Sequence, residues 1–220
     1  MIPTPIRTPT PTRLIGHFIA LTPLSVASDS EELFAISHAD PHAKSVFKYL
    51  QNGPFADVAA LRAFYQDWCG GPGVLAYLVR SAVDATALGT LSLMNVRSEH
   101  GVVEIGHVWY APAAQRTCVN TESVYLLLRH CFDDLGYRRV EWKCDTRNRP
   151  SGEAALRLGF SFEGVFRKHM IVRGENRDTA WFSMLDDHWP SRRQALEQWL
   201  YTADATPLSE VHRTRLPYEA

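Results

Sequence analysis

The 220-residue chain has no long apolar run, no paired cysteines and no surplus of charge. Without an apolar stretch long enough to span a bilayer, no transmembrane helix is expected. The N-terminus, MIPTPIRTPTPTR, lacks the apolar segment of a secretory signal. Cys69, Cys118, Cys131 and Cys144 form no CxxC pair and no zinc-ligand spacing, so neither a metal site nor a disulfide framework is predicted. Lys and Arg number 23 against 24 Asp and Glu, a balance that gives no electrostatic support to a general nucleic-acid or membrane-surface role. These absences predict a cytoplasmic protein with reduced thiols. Glycine is also missing where it is often needed. The stretch QRTCVN, Gln115–Asn120, joins a strand-like run to a helix-like one and contains none. No P-loop or Rossmann glycine fingerprint occurs elsewhere.

What is present is a globular composition, 45% hydrophobic and 21% charged, with length for a sizeable core. Residues 1–13 alternate Pro and Thr and read as an extended arm. One domain is expected over 14–190, followed by a closing helix and tail over 191–220. The spacing predicts a first strand at 16–23 and helices at 29–39, 42–50 and 57–69. In the last of these, Asp57 is the cap and Val58, Leu61, Phe64, Tyr65 and Trp68 recur at helical intervals. Strands are predicted at 74–81, 87–96 and 101–110, closely connected and hence an antiparallel meander. A helix at 120–135, stopped by Gly136, leads to a strand at 138–145, which should run parallel to the strand at 101–110. A short helix from Pro150 to Leu158, strands at 160–170 and 179–185, and a helix at 191–202 complete the reading. The class is α+β with a mixed sheet.

The glycine-free turn has two readings. A helix N-terminus offers unpaired N–H groups and partial positive charge to a phosphate, and Arg116 adds a charge-assisted donor. On these residues alone the turn reads first as an ordinary strand-to-helix connection. The segments EIGHVWYAPAAQRTCVNTE, CDTRNRPSGEAALRLGFSFEG and RDTAWFSMLDDHWP, with the order of elements over roughly 14–190, resemble the GCN5-related N-acetyltransferase superfamily. Within it they are similar to the branch of ribosomal-protein N-terminal acetyltransferases of the RimJ/RimL type.

The resemblance implies a twisted, mostly antiparallel central sheet with one parallel strand pair, flanked by helices. It also implies acetyl-CoA as cosubstrate, no metal, and direct transfer to a primary amine in a ternary complex. The superfamily's Q/R-x-x-G-x-G/A turn would begin at Gln115, with Cys118 and Asn120 at the small-residue positions. On this resemblance the amides of Arg116, Thr117, Cys118, Val119, Asn120 and Thr121 would meet the pyrophosphate. Those of Val108, Trp109 and Tyr110 would hold the pantetheine arm or polarise the thioester. Glu104 would act as base and Ser151 as acid, with Asn148 on the arm.

The residues allow other roles. Glu104 also reads as a buried structural carboxylate. Asn148 and Ser151 are good helix-start residues, and His107 falls on the opposite face of a regular strand unless a bulge intervenes. His169 is a further base candidate. Cys118 and Cys144 read as small core residues. The acceptor is left open between protein N-termini and small amines, as is a homodimer. Two rival functions are a coenzyme-binding or sensor module without transfer activity and an interaction protein that uses its N-terminal arm.

Overall fold

A computed structural model describes residues 6–202 and 207–212. The chain forms two compact units. The first comprises residues 8–97 and 104–127. It holds strands β1 (Leu14–Ile15), β2 (Ile19–Pro23), β3 (Leu75–Ser81), β4 (Ala87–Arg97) and most of β5 (Val102–Tyr110). Helices α1 (Val26–His38), α2 (Pro41–Lys44) and α3 (Val58–Gly70) pack with them. Pairing is antiparallel from β1 through β4. Asp57 starts α3 by accepting the Ala60 N–H at 2.8 Å, which satisfies one of the helix's open donors. Leu61 and Tyr65 then point into a core with Leu33, Leu78, Ala87 and Trp109. Gly89 is obligatory for β4, because a Cβ there would collide with the Trp109 carbonyl and lie 2.7 Å from the Tyr110 Cα.

The second unit takes residues 98–103 and 128 onward, with Ile6 and Arg7. Helix α4 (Val119–Arg129) begins in the first unit, and a π-helical turn (His130–Asp134) follows it in the second. Next come β6 (Arg139–Asp145), α5 (Arg149–Arg157), β7 (Ser161–Val172), β8 (Glu175–Leu185), α6 (Trp189–Tyr201) and α7 (Leu208–Val211). Here β8 lies between β6 and β7, antiparallel to both. The two-residue loop Arg173–Gly174 has both φ angles positive, 52° and 80°, the twist a tight hairpin favours. Val140, Trp142, Phe160, Ala180, Phe182 and Met184 are buried.

The eight strands form a mixed α/β, mostly antiparallel sheet with one parallel pair, flanked by helices, in agreement with the expected class. Local boundaries differ from the sequence reading in several places. Of the predicted first strand at 16–23 only β2, Ile19–Pro23, is strand; residues 16–18 form a turn from the unpredicted β1, where the Gly16 N–H donates to the Ile19 carbonyl at 2.9 Å. The predicted helix 42–50 is α2 followed by a 3-10 turn at Ser45–Phe47. Helix 120–135 ends as π turns before Gly136, whose φ is 75°. The tail contains α7, anchored by buried Leu208 and by His212 Nδ1 against the Arg157 carbonyl at 2.8 Å. The arm's first five residues and the tail at 203–206 and 213–220 lie outside the described residues. Arg7 of the arm donates its N–H to the Leu135 carbonyl at 3.0 Å.

The β1–β2 turn is held by one side chain. Buried Glu122, in the first turn of α4, accepts the N–H groups of His17, Phe18 and Ile19, each at 2.8 Å. Glu122→Ala leaves those donors without their acceptor. Only the Ile19 bond is buried, so at about 1–3 kcal/mol for a buried group that stays unpaired the variant is expected to lose about 1–3 kcal/mol in denaturant unfolding. A loss below about 1 kcal/mol would show that water replaces the carboxylate.

Candidate active site

In the first unit, β5 carries two of the base candidates, Glu104 and His107. Glu104 is buried, and its Oε2 accepts the Asn95 Nδ2–H at 2.7 Å from β4. Asn95 has φ of 49°, a left-handed conformation that asparagine tolerates better than most residues. Three residues after Glu104, His107 is also left-handed, with φ of 49°. This irregularity breaks the strict alternation of the strand, so opposite faces for the two side chains no longer follow from their spacing.

The His107 ring lies 4.9 Å from the Trp68 ring, 5.3 Å from Phe64 and 5.9 Å from Tyr65. Its Nδ1 is buried with no hydrogen-bond partner among the described residues. Burial drives the imidazole's pKa down to about 4, because an aromatic enclosure disfavours the charged form. His107 is therefore neutral at pH 7.

The end of β5 is fixed by a chain of polar contacts. Trp109 Nε1–H donates to Tyr65 Oη at 3.0 Å, and Tyr65 Oη shares a hydrogen bond with Thr90 Oγ1 at 3.2 Å. Burial pushes the Tyr65 phenol up to about 12, so it stays protonated. Trp109 and Tyr110 are buried and Val108 is half-buried.

Beyond Tyr110 the chain makes a 3-10 turn at Pro112–Ala114 and then enters the glycine-free segment. Gln115 Nε2 donates back to the Tyr110 carbonyl at 3.0 Å. Thr117 Oγ1 donates to the Ala114 carbonyl at 2.7 Å and accepts the Val119 N–H at 3.2 Å. The turn does use a left-handed residue, but it is Arg116, with φ of 60°. Cys118 and Asn120 have no positive φ, so the backbone at those positions does not require glycine.

The amides of Arg116, Thr117, Cys118 and Asn120 donate to no described residue, and Asn120 Oδ1 is buried without a partner. Open amides at the start of an 11-residue helix are a cradle for an anionic oxygen. Thr121 is buried inside the helix start. Cys118 is half-buried, and burial, then the Glu122 charge, raises its thiol pKa. Burial likewise raises the Cys131 thiol well above its ordinary range, and all four cysteines are free. Raised pKa values oppose a thiolate nucleophile at either position.

In the second unit, Asn148 caps α5, its Oδ1 accepting the Ser151 N–H at 3.3 Å. Ser151 Oγ accepts the Trp142 Nε1–H at 3.1 Å. With the indole on one lone pair, the serine's own O–H is free to donate elsewhere. His169, exposed on β7, bonds Thr179 Oγ1 through Nδ1 at 3.0 Å and packs near Phe166 and Trp181. The sequence reading missed Asn95 and Trp142. A buried indole needs an acceptor, which was the one available signal for Trp142. Among the described residues no group of three or more His, Cys, Asp or Glu could hold a metal, and no helix is long and apolar enough to cross a membrane.

A family model described as the acetyltransferase (GNAT) domain matches residues 19–161, more than half of the chain. A GCN5-related N-acetyltransferase from Brucella melitensis superposes with a TM-score of 0.89 at 36% identity, covering 96% of this chain and 98% of that one. The chain belongs to this acetyltransferase family. A Bacillus subtilis protein provisionally named a ribosomal N-acetyltransferase, YdaF, is 27% identical over 110 residues, spanning 50% of this chain and 60% of that protein. Mycobacterium smegmatis RimJ, solved with CoA-disulfide, shares the fold at a TM-score of 0.72 and 18% identity, covering 86% of this chain and 95% of that one.

The enclosed imidazole, with its Nδ1 buried, has a consequence for stability. Its folded pKa, about 4, lies below the ordinary 6.5, so the unfolded chain binds the proton more tightly. The stability this contributes is present above about pH 6.5 and is lost as pH falls toward 4. Between pH 7 and 5 the loss through His107 is about 2 kcal/mol, from 1.36 kcal/mol per pKa unit. Unfolding free energies measured at both pH values are expected to show this slope in the wild type and its removal in His107→Gln.

Proposed function

We propose that the protein is an acetyl-CoA-dependent N-acetyltransferase that moves the acetyl group directly to a primary amine in a ternary complex, in the cytoplasm and without a metal. The observation that carries the reading is the set of four open amides, Arg116, Thr117, Cys118 and Asn120, at the start of α4. These donors, with the Arg116 guanidinium, fit the pyrophosphate of coenzyme A, and the Val108–Tyr110 backbone is assigned to its pantetheine arm. The CoA adduct of RimJ supports the same ligand class. Gln115 positions the turn through its bond to the Tyr110 carbonyl.

In the reaction, the amine nitrogen bonds to the thioester carbonyl carbon and the carbon–sulfur bond breaks. Glu104, oriented by Asn95, takes the proton from the amine directly or through water. Ser151, its lone pair engaged by Trp142, passes its hydroxyl proton to the departing thiolate while taking one from water, Glu104 returns the amine's proton to solvent, and Asn148 joins Ser151 on the arm. Neutral amines are strong nucleophiles, so no covalent enzyme intermediate is invoked. The acceptor class is a protein N-terminus or a small-molecule amine. The naming of YdaF favours testing ribosomal proteins first. A homodimer is compatible with this reading.

Calorimetric titration with acetyl-CoA is expected to give micromolar binding, and absence of binding overturns the proposal. Binding without transfer across a panel of amines and ribosomal-protein N-termini would instead identify a coenzyme-binding module. Glu104→Gln should reduce kcat about 100-fold or more, the range for loss of a general base, with coenzyme affinity kept within twofold. A wild-type kcat in this variant removes Glu104 as base. Arg116→Ala should weaken coenzyme binding by about tenfold, as expected for one charge-assisted contact. Unchanged affinity in calorimetry leaves the amides as the whole cradle.

A further inference from the structure

The second unit has a concave feature that the acetyl-transfer residues do not use. Beside the β7–β8 hairpin lies an open depression of about 590 Å³ lined by Thr146, Arg147, Arg167, Lys168, Asn176 and Asp178. Its shape comes from a break in strand register. Phe166 pairs with Thr179, and the next paired residue of β7, Met170, faces Arg177. Three residues, Arg167, Lys168 and His169, therefore stand opposite Asp178 alone. A bulge of this kind turns side chains away from the regular strand faces. Lys168 takes the left-handed conformation, with φ of 50°, which L-residues with a Cβ disfavour. It is held there by its N–H, which donates to Asp178 Oδ1 at 2.6 Å.

The charges around the depression are unequal. With Arg147 engaged by carboxylates outside the lining, two cations, Arg167 and Lys168, meet one carboxylate, Asp178, which already accepts a backbone hydrogen bond. Arg147 is tied to Asp145 at 2.8 Å and to Glu175 at 3.0 Å, which orients its guanidinium. The side chains of Arg167 and Lys168 form no ion pair or hydrogen bond with any described residue. Elsewhere in this unit Arg139 is paired with Glu141 and Glu163, and Arg193 with Asp133 and Glu197. Two unpaired cations, an amide and a hydroxyl facing one concavity form a donor set suited to an oxyanion.

We propose that this depression is a binding site for an oxyanion, the carboxylate or phosphate of a small molecule, with Arg167 and Lys168 as its principal contacts. The bulge sets the pair in place, and Asp178 holds the bulge. The site uses neither Glu104 nor the α4 turn.

The test is titration of the full chain at low ionic strength with inorganic phosphate and, separately, with succinate, followed by NMR. A phosphate site and a carboxylate site differ in which anion binds more tightly. Saturable binding of at least one anion is expected, with shifts at the Arg167 and Lys168 amides. Affinity should fall at least tenfold in the double variant R167A/K168A, and also when ionic strength is raised to 0.5 M. Both residues are exposed, so the variant should fold, and its unfolding midpoint checks that it does. Single replacement by the conservative Lys168→Arg should restore most of the affinity lost in Lys168→Ala. The proposal is overturned if neither anion saturates the wild type, or if R167A/K168A binds as tightly as the wild type. Phosphate bound at the α4 turn would be unaffected by these substitutions and so would give the second result.

Discussion

A single buried carboxylate organises the part of the molecule on which the cofactor reading rests. Glu122 takes three backbone N–H groups from the β1–β2 turn, all at 2.8 Å. Burying a carboxylate is costly unless its lone pairs are satisfied, and here three donors converge on it. Its place in the first turn of α4 adds the favourable end of the helix dipole. The arrangement also dictates a residue on the other side. A Cβ at Gly16 would lie 2.5 Å from Glu122 Cδ, so no larger side chain fits without displacing the carboxylate. With α4 held from inside the first unit, the preceding turn can leave several amides open. An anchored helix can present unsatisfied donors without fraying to find partners for them.

Chemistry-bearing side chains in both units are positioned by partners from neighbouring elements. Asn95 holds Glu104 across from β4, while Phe64, Tyr65 and Trp68 of α3 enclose His107. The enclosure makes His107 a packing residue that stays neutral. Glu104 is oriented by the Asn95 side-chain amide, which donates to its Oε2. Ser151 receives an indole N–H from Trp142, and Asn148 both starts α5 and points its oxygen at the Ser151 amide. Helix capping and a place in the proposed coenzyme site are thus compatible for Asn148.

Much of the element order was legible because its signals are local. Asp57 and the apolar spacing after it foretold α3, Gly136 marked the end of the helical run, and Asn148 with Pro150 marked the start of α5. The turn at 16–18, read as part of the first strand, was not legible, since the acceptor that shapes it at His17 lies over 100 residues away. The glycine-free turn misled in an instructive way. Its left-handed residue is Arg116, not either of the positions where the superfamily carries small residues. Absence of glycine at Cys118 and Asn120 therefore bears on how closely a ligand can approach, and not on whether the backbone can make the turn.

The sequence by itself determined the class of fold, the family resemblance and the approximate limits of most elements, because periodicity, caps and turn residues act within a few positions of the chain. Tertiary structure alone decided that Glu122 secures a distant turn, that Asn95 and Trp142 orient Glu104 and Ser151, and that a three-residue bulge leaves the side chains of Arg167 and Lys168 without partners among the described residues. Those outcomes depend on which strands become neighbours and where a register breaks. Such contacts join residues with no local pattern in common, and they take definite geometry only when the sheet and helices pack.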